Sequence, residues 1–435
     1  MANPRRYKPT SRRHTDRVYG KTILPNGLRI VTEHMPAVRS AAIGIWADVG
    51  SAYERPEQRG ISHLVEHMLF KGTERRNARE IAEAMDRVGG NLNAFTDKES
   101  TCYYARVIDK HVPLATDILC DMFLNSRFDP EDIAREQNVV LEEIKMYDDA
   151  PDEVINDAFV RLMWSGSNLG DPVIGFPNTI SALRSGDLRA HMRERYTPKT
   201  VVVTVAGNVE HEQVVESFAQ ALAPLGGEGG VPTVERVRLS PGRLVITRDV
   251  EQVYLIVGTR GLPAGDDDRY TLSVIDTALG GGMSSRLFQD IREERGLAYS
   301  VSSFQIAYRP AGLFAVSAGT SVENVQEVIS LIRESFAEAH ERGLRESEVE
   351  LAKEHLKGSL TLALESISGR MMRLGRNELT FGRQISEEEL DQKIEAVNID
   401  DVQRLARAIF APEQWGLCVL GPIGEDDIDW TAAVA

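Results

Sequence analysis

Gly226-Gly227-Glu228-Gly229-Gly230, followed by Pro232, falls almost at the midpoint of this 435-residue chain, and the same order of strands and helices can be read on either side of it. Glycines are cheap to leave unstructured and costly to order, so the run reads as a linker. Before it, an apolar stretch from Ile23, the Asn26-Gly27 turn and the segments 28–33 and 41–49 predict strand, hairpin and strand. A helix is expected from about Arg59, a second over 78–88 ending at Gly89-Gly90, and a strand returning over 93–107. Helices over 111–124 and 130–147, a strand at 201–206 and a last helix to about Leu225 complete the half. After the linker come strands near 244–246 and 253–259, helices at 270–279 and 284–294, a strand at 312–318, and helices at 322–342 and 346–364. The recurrence predicts an α+β fold of two homologous domains from an internal duplication, each a mostly antiparallel sheet packed against helices. On this reading residues 1–20 are a disordered basic tail, 21–225 the first domain, 226–236 the linker and 237–435 the second domain. A chain of this length is also beyond the size at which one core usually keeps growing.

The duplication is broken in one place. The first-half helix from Arg59 carries His63-Leu64-Val65-Glu66-His67, whereas its counterpart reads Tyr270-Thr271-Leu272-Ser273-Val274-Ile275 and holds no histidine. On a helix, positions i, i+3 and i+4 share a face, so His63 and His67 can grip one ion while Glu66 reaches water beside it. The order H-x-x-E-H is the inverted form of a zinc-hydrolase motif. Catalytic zinc takes three protein ligands and keeps one position for water, so a third ligand is required. The other seven of the nine histidines are dispersed, which points to a carboxylate. Glu136, Glu142 and Glu143 lie on one expected helix, amid Val139, Val140, Leu141 and Ile144; the residues alone leave Glu142 and Glu143 as alternatives. One Zn2+ per chain is the expected cofactor, although cobalt or manganese suit the same donors.

Composition narrows the rest. A net charge of −16 argues against a nucleic-acid partner and favours basic peptides over acidic ones. Cys102, Cys120 and Cys418 are too few and too scattered for a disulfide framework or a thiolate zinc cluster, so the cytoplasm is the expected compartment. No run approaches the roughly 18 apolar residues of a membrane helix, and no secretory signal is apparent, so no membrane association is expected. The opening Arg5, Arg6, Lys8, Arg12, Arg13 and Arg17 read as a basic tail rather than an organellar targeting arm, because large aliphatic residues are absent. Gly280-Gly281-Gly282 lacks the Gly-Lys-Ser/Thr of a phosphate loop and reads as a flexible turn.

The stretch Gly60-Ile61-Ser62-His63-Leu64-Val65-Glu66-His67-Met68-Leu69-Phe70-Lys71-Gly72-Thr73, followed by Asn91-Leu92-Asn93-Ala94-Phe95-Thr96, resembles the pitrilysin-type (inverzincin, M16) zinc metallopeptidases, particularly the short branch typified by the mitochondrial processing peptidase. The likeness continues through Val139-Val140-Leu141-Glu142-Glu143-Ile144, Gly282-Met283-Ser284-Ser285-Arg286-Leu287-Phe288 and Arg292-Glu293-Glu294-Arg295-Gly296-Leu297-Ala298-Tyr299-Ser300, covering residues 20–425 or so. The resemblance implies Glu143 as the third ligand and Glu136, seven residues earlier, as a carboxylate behind it that orients His67. It also implies an edge strand at Asn93, Ala94, Phe95 and Thr96 that aligns the substrate backbone. Arg292 and Tyr299 of the second domain are implied as donors near the bound peptide and its developing oxyanion.

The function expected on these grounds is a zinc endopeptidase acting on peptides or unfolded precursor segments. Zinc would supply Lewis acidity and acidified water, and Glu66 would take the proton and pass it to the departing amine. The second domain, without metal, would wall the chamber or supply binding residues. A homodimer is expected to close that chamber, since both elements are present in one chain; the alternatives are a catalytic subunit paired with an inactive homologue, or a non-catalytic structural subunit like the core proteins of the cytochrome bc1 complex.

Overall fold

The computed structural model describes residues 18–230, 233 and 237–430. Residues 1–17 of the expected tail and residues 231, 232 and 234–236 of the expected linker, Pro232 among them, lie outside the described residues. The first half builds a six-stranded sheet from β1 (Val18–Ile23), β2 (Arg29–His34), β3 (Ser40–Ala47), β4 (Asn91–Thr96), β5 (Thr101–Ile108) and β6 (Val201–Gly207). The second builds five strands, β7 (Arg243–Thr247), β8 (Val253–Gly261), β9 (Ala298–Ala307), β10 (Gly312–Thr320) and β11 (Gly416–Gly421). The spatial orders are β1-β2-β6-β3-β5-β4 and β7-β11-β8-β10-β9. Once β1 is set aside they are the same: first strand beside fifth, then second, fourth and third. In both, the first and fifth strands pair in parallel and the remaining neighbours antiparallel. The chain is thus two homologous α+β domains, each a mostly antiparallel sheet packed against helices.

Each sheet has two apolar faces, and the halves cover one another's. On one face Ile43, Ile45 and Val203 pack with Ile61, Leu64, Val65 and Leu69 of the helix Ile61–Leu69 and with Ile118. The other face of the first sheet, with Val31, Trp46 and Val202, is covered by Met371 and Leu374 from the helix Ile367–Phe381 of the second half. Reciprocally, Ile155, Phe159 and Met163 of the helix Pro151–Met163 cover Ile256, Ala315, Cys418 and Leu420 of the second sheet. Glycine is required where these helices seat: a methyl on Gly375 would overlap the Trp46 ring, and one on Gly258 the Phe159 ring. Buried charge is exchanged in the same way, Arg370 pairing with Glu33, and Lys21 with Glu378 at 2.8 Å.

Three expectations change. Residues 18–20 of the expected tail are strand, paired with β2 as the start of β1. The strand read over 93–107 is a hairpin, β4 and β5, because the Asp97 side chain accepts hydrogen bonds from Glu99 N (2.8 Å) and Ser100 N (2.7 Å) and turns the chain without glycine or proline. The helix read over 284–294 narrows to Phe288–Glu294, wound with the wide i→i+5 pattern. Among the described residues strand β4 pairs with β5 alone and so presents a free edge. Among the described residues no helix is long and apolar enough to cross a membrane.

Candidate metal and catalytic site

The helix Ile61–Leu69 begins at Gly60, whose φ of +90° is a left-handed conformation that favours glycine. Its first amides are satisfied from outside: Glu54 accepts from Gly60 N at 2.7 Å and from Ser62 N at 2.8 Å. Burial pushes the Glu54 carboxyl up to about 7 against the pull of those donors. Ile61, Leu64, Val65, Met68 and Leu69 face the core, which leaves His63, Glu66 and His67 on the partly open face. The facing helix, Pro130–Asp148, starts with proline and the acids Glu131 and Asp132 in its first turn, which suits the positive helix end. Ile133, Val140 and Ile144 anchor it, so Glu136 and Glu143, seven residues apart, point the same way.

Glu143 Oε2 lies 3.9 Å from His63 Nε2 and 3.7 Å from His67 Nε2. One donor atom from each of the three falls within 4.8 Å of the others. Zinc held tetrahedrally at about 2.0–2.1 Å sets its ligands about 3.3 Å apart, so each imidazole nitrogen would close on Glu143 by about half an ångström. Two imidazoles and a carboxylate therefore fit zinc in number, chemistry and spacing. Glu142 instead pairs with Lys145 at 2.7 Å, its side chain 69% exposed. Behind the triad, Glu136 lies 3.2 Å from His67 Nδ1 through one oxygen and 2.7 Å from Lys71 Nζ through the other. This contact makes Nδ1 the protonated nitrogen and leaves Nε2 bare.

The electrostatics follow from the same contacts. Burial, reinforced by the neighbouring His67, pushes His63 down to about 3, which keeps it a neutral imidazole able to ligate. Burial alone would lower His67, but the bond to Glu136 and the nearby carboxylates Glu143 and Glu66 raise it. Burial raises Glu66, and the hydrogen bond from Thr96 partly offsets this. That bond, Thr96 Oγ1 donating to Glu66 Oε2 at 2.6 Å, ties the glutamate to the edge strand β4.

A cavity of about 870 Å3 opens on this group, and both halves wall it: His63, Thr96 and Glu143 on one side, Ile306 and Tyr308 from the second half on the other. Lys98, Glu153 and Asp157 also line it. A wall from the second half is expected from the sequence, but Ile306 and Tyr308 are not singled out there, nor are Lys71, Lys98, Glu153 and Asp157; of these only Lys71, four residues beyond His67, carries a spacing signal. Asn93, Ala94 and Phe95 lie with Thr96 on β4, but among the described residues only Thr96 of these four is hydrogen-bonded to Glu66. Arg292 and Tyr299 come together, the guanidinium 5.7 Å from the tyrosine ring centre. Neither joins His63, Glu66, His67 or Glu143 among the described residues. Tyr299 stands seven residues before Ile306 on β9, about 23 Å along a strand that rises about 3.3 Å per residue.

Residues 29–176 match the family described as Insulinase (Peptidase family M16), and residues 182–356 match the Peptidase M16 inactive domain. The second match begins before β6, the strand that completes the first sheet. An uncharacterized zinc protease of Bacillus subtilis is 42% identical over 399 residues, which span 92% of this chain and 97% of that protein. Another of Streptomyces coelicolor is 43% identical over 417 residues, 93% of this chain and 89% of that protein. In fold, the chain is similar to a peptidase M16 inactive domain from Pseudomonas fluorescens (TM-score 0.88, 18% identity, covering 94% of this chain and 98% of that one). It is likewise similar to a protease from Helicobacter pylori (TM-score 0.85, 21% identity, 93% and 99% covered). The chain belongs to peptidase family M16.

Proposed function

We propose that this chain is a zinc-dependent endopeptidase that hydrolyses peptides or unfolded precursor segments, with His63, His67 and Glu143 as ligands and Glu66 as general base. The observation that carries it is the convergence of those three donors beside one cavity walled by both halves, with His63 and Glu143 in its lining and Glu66 bonded to Thr96, which lines it too. Zinc bound there would supply Lewis acidity toward the scissile carbonyl and water acidic enough to release a proton near neutral pH. Thr96 holds Glu66 in place to accept that proton and return it to the leaving amine. Glu136, anchored by Lys71, holds His67 in the tautomer that presents Nε2. The free edge of β4, from Asn93 to Thr96, pairs with the substrate backbone and leaves selectivity to side-chain pockets.

Arg292 and Tyr299 bind the substrate and its oxyanion in this account. Their distance along β9 from the cavity wall supports a chamber completed by a second copy of the chain, hence a homodimer. The partition into residues 21–225 and 237–435, membership of the processing-peptidase-like branch and a cytoplasmic location belong to the same proposal. The test is cleavage of a quenched fluorescent peptide library by the purified chain beside Glu66→Gln, with zinc content measured in both. Cleavage lost in a variant that keeps its zinc supports the proposal; no cleavage by the zinc-loaded native chain contradicts it and turns the search to an obligate partner or a structural role.

A further inference from the structure

The turn between β9 and β10 carries Arg309 from the metal-free domain into the first. Its backbone N–H donates to both oxygens of Glu99, at 3.0 and 3.1 Å. Its guanidinium bonds Asp48 through both terminal nitrogens, while its Nε lies 3.4 Å from Glu99. Asp48 is 2% exposed and opens the loop that runs into the histidine helix; Glu99 sits in the turn that follows β4. The two segments are also stitched directly, Ser51 N to Asp97 O at 3.1 Å, Ala52 N to Lys98 O at 2.8 Å, and Thr101 Oγ1 to Val49 O at 3.0 Å. Three residues before Glu99, Thr96 holds Glu66. Two carboxylates that burial pushes upward thus face a single guanidinium, whose planar fork can serve both as a point charge on a flexible stem cannot. Without it, like charges would drive the loop and the turn apart.

We infer that Arg309 is a positioning residue for the catalytic site: from the second domain it clasps the loop before the histidine helix to the turn after β4, and so sets Thr96 against Glu66. The clasp gives the metal-free domain a role in the reaction beyond walling the cavity with Ile306 and Tyr308. Its kinetic consequence rests on the peptidase proposal, its mechanical consequence does not.

The test compares the full-length, zinc-loaded chain with Arg309→Met, Arg309→Lys, Thr96→Val and the Thr96→Val/Arg309→Met double variant. Hydrogen exchange is read first, without substrate: Arg309→Met should speed exchange about tenfold or more over residues 48–53 and 91–101 and leave the helix Pro130–Asp148 unchanged. Zinc affinity, measured by chelator competition, should stay within about twofold, since no ligand is touched. In kinetics, kcat should fall about tenfold or more with KM little changed, and Arg309→Lys should recover part of it. The double variant should be no slower than Thr96→Val alone, because both changes act through one contact. Unchanged exchange over 91–101, additive losses in kcat, or loss of zinc would each overturn the inference. Should the methionine variant fail to fold, Glu99→Gln loosens the same clasp with Arg309 still on Asp48, and the same exchange pattern is expected of it. A native chain that cleaves nothing counts against the peptidase proposal, and the exchange result then decides the clasp by itself.

Discussion

Thr96→Val removes one hydroxyl and keeps the shape of the side chain, and its effect can be worked from the structure. The hydroxyl donates to Glu66 Oε2 at 2.6 Å, a short hydrogen bond to a carboxylate. Hydrogen bonds to charged groups contribute about 1.5–3 kcal/mol. The site opens on a cavity that admits water, so part of that is recovered when water replaces the hydroxyl, and the lower part of the range applies. At 1.36 kcal/mol per factor of ten, kcat should fall about 10- to 30-fold. The ligands are untouched, so zinc content should remain about one per chain. The backbone edge of β4 is kept, so KM should change little. The assay is steady-state cleavage of one peptide identified from the library, with zinc measured in the same samples. An unchanged kcat would refute the assignment of Thr96 as the group that holds the base. A lost zinc would show instead that Thr96 supports the metal site as a whole.

Glu136→Gln keeps an acceptor for His67 but removes the charge that Lys71 anchors, so zinc affinity should fall about 10-fold or more in chelator competition, with kcat at saturating zinc largely preserved. Asp157→Asn takes a carboxylate from the cavity wall and should lower kcat/KM for peptides with an arginine or lysine near the cleaved bond by about tenfold relative to neutral peptides; an equal change for both would contradict an acidic selectivity pocket. Phe159→Ala should cost about 3–5 kcal/mol, because the ring is fully buried. It packs on the second sheet, so exchange protection should be lost in β8 and β11 rather than in β2 and β3, and the reverse would contradict the exchange of helices between halves.

What could be read in the sequence is what periodicity and local chemistry encode. The histidine face was legible because i, i+3 and i+4 coincide on any helix, and the repeat across the linker was legible as a succession along the chain, but β9 and β11 were not read and the spatial order of the strands comes from the structure. Glu143 could not be separated from Glu142 by pattern, since adjacent helix positions are both compatible with the apolar stripe; what separates them is the facing helix, which places Glu143 under the imidazoles and leaves Glu142 to Lys145. The β4–β5 turn was invisible because Asp97, rather than glycine or proline, makes it. The helices Pro151–Met163 and Ile367–Phe381 were missed, and with them the way each half covers the other, a contact between residues about a hundred or more positions apart. Arg309 reads as an exposed turn residue until the fold brings Asp48 and Glu99 to it.

The most direct measurement is anomalous diffraction at the zinc edge from crystals of the chain grown with zinc. The account predicts one strong peak per chain, about 2.0–2.2 Å from His63 Nε2, His67 Nε2 and a Glu143 oxygen, with Glu66 beside it and unbound. A peak ligated elsewhere, or none in this cavity at full zinc loading, would contradict it.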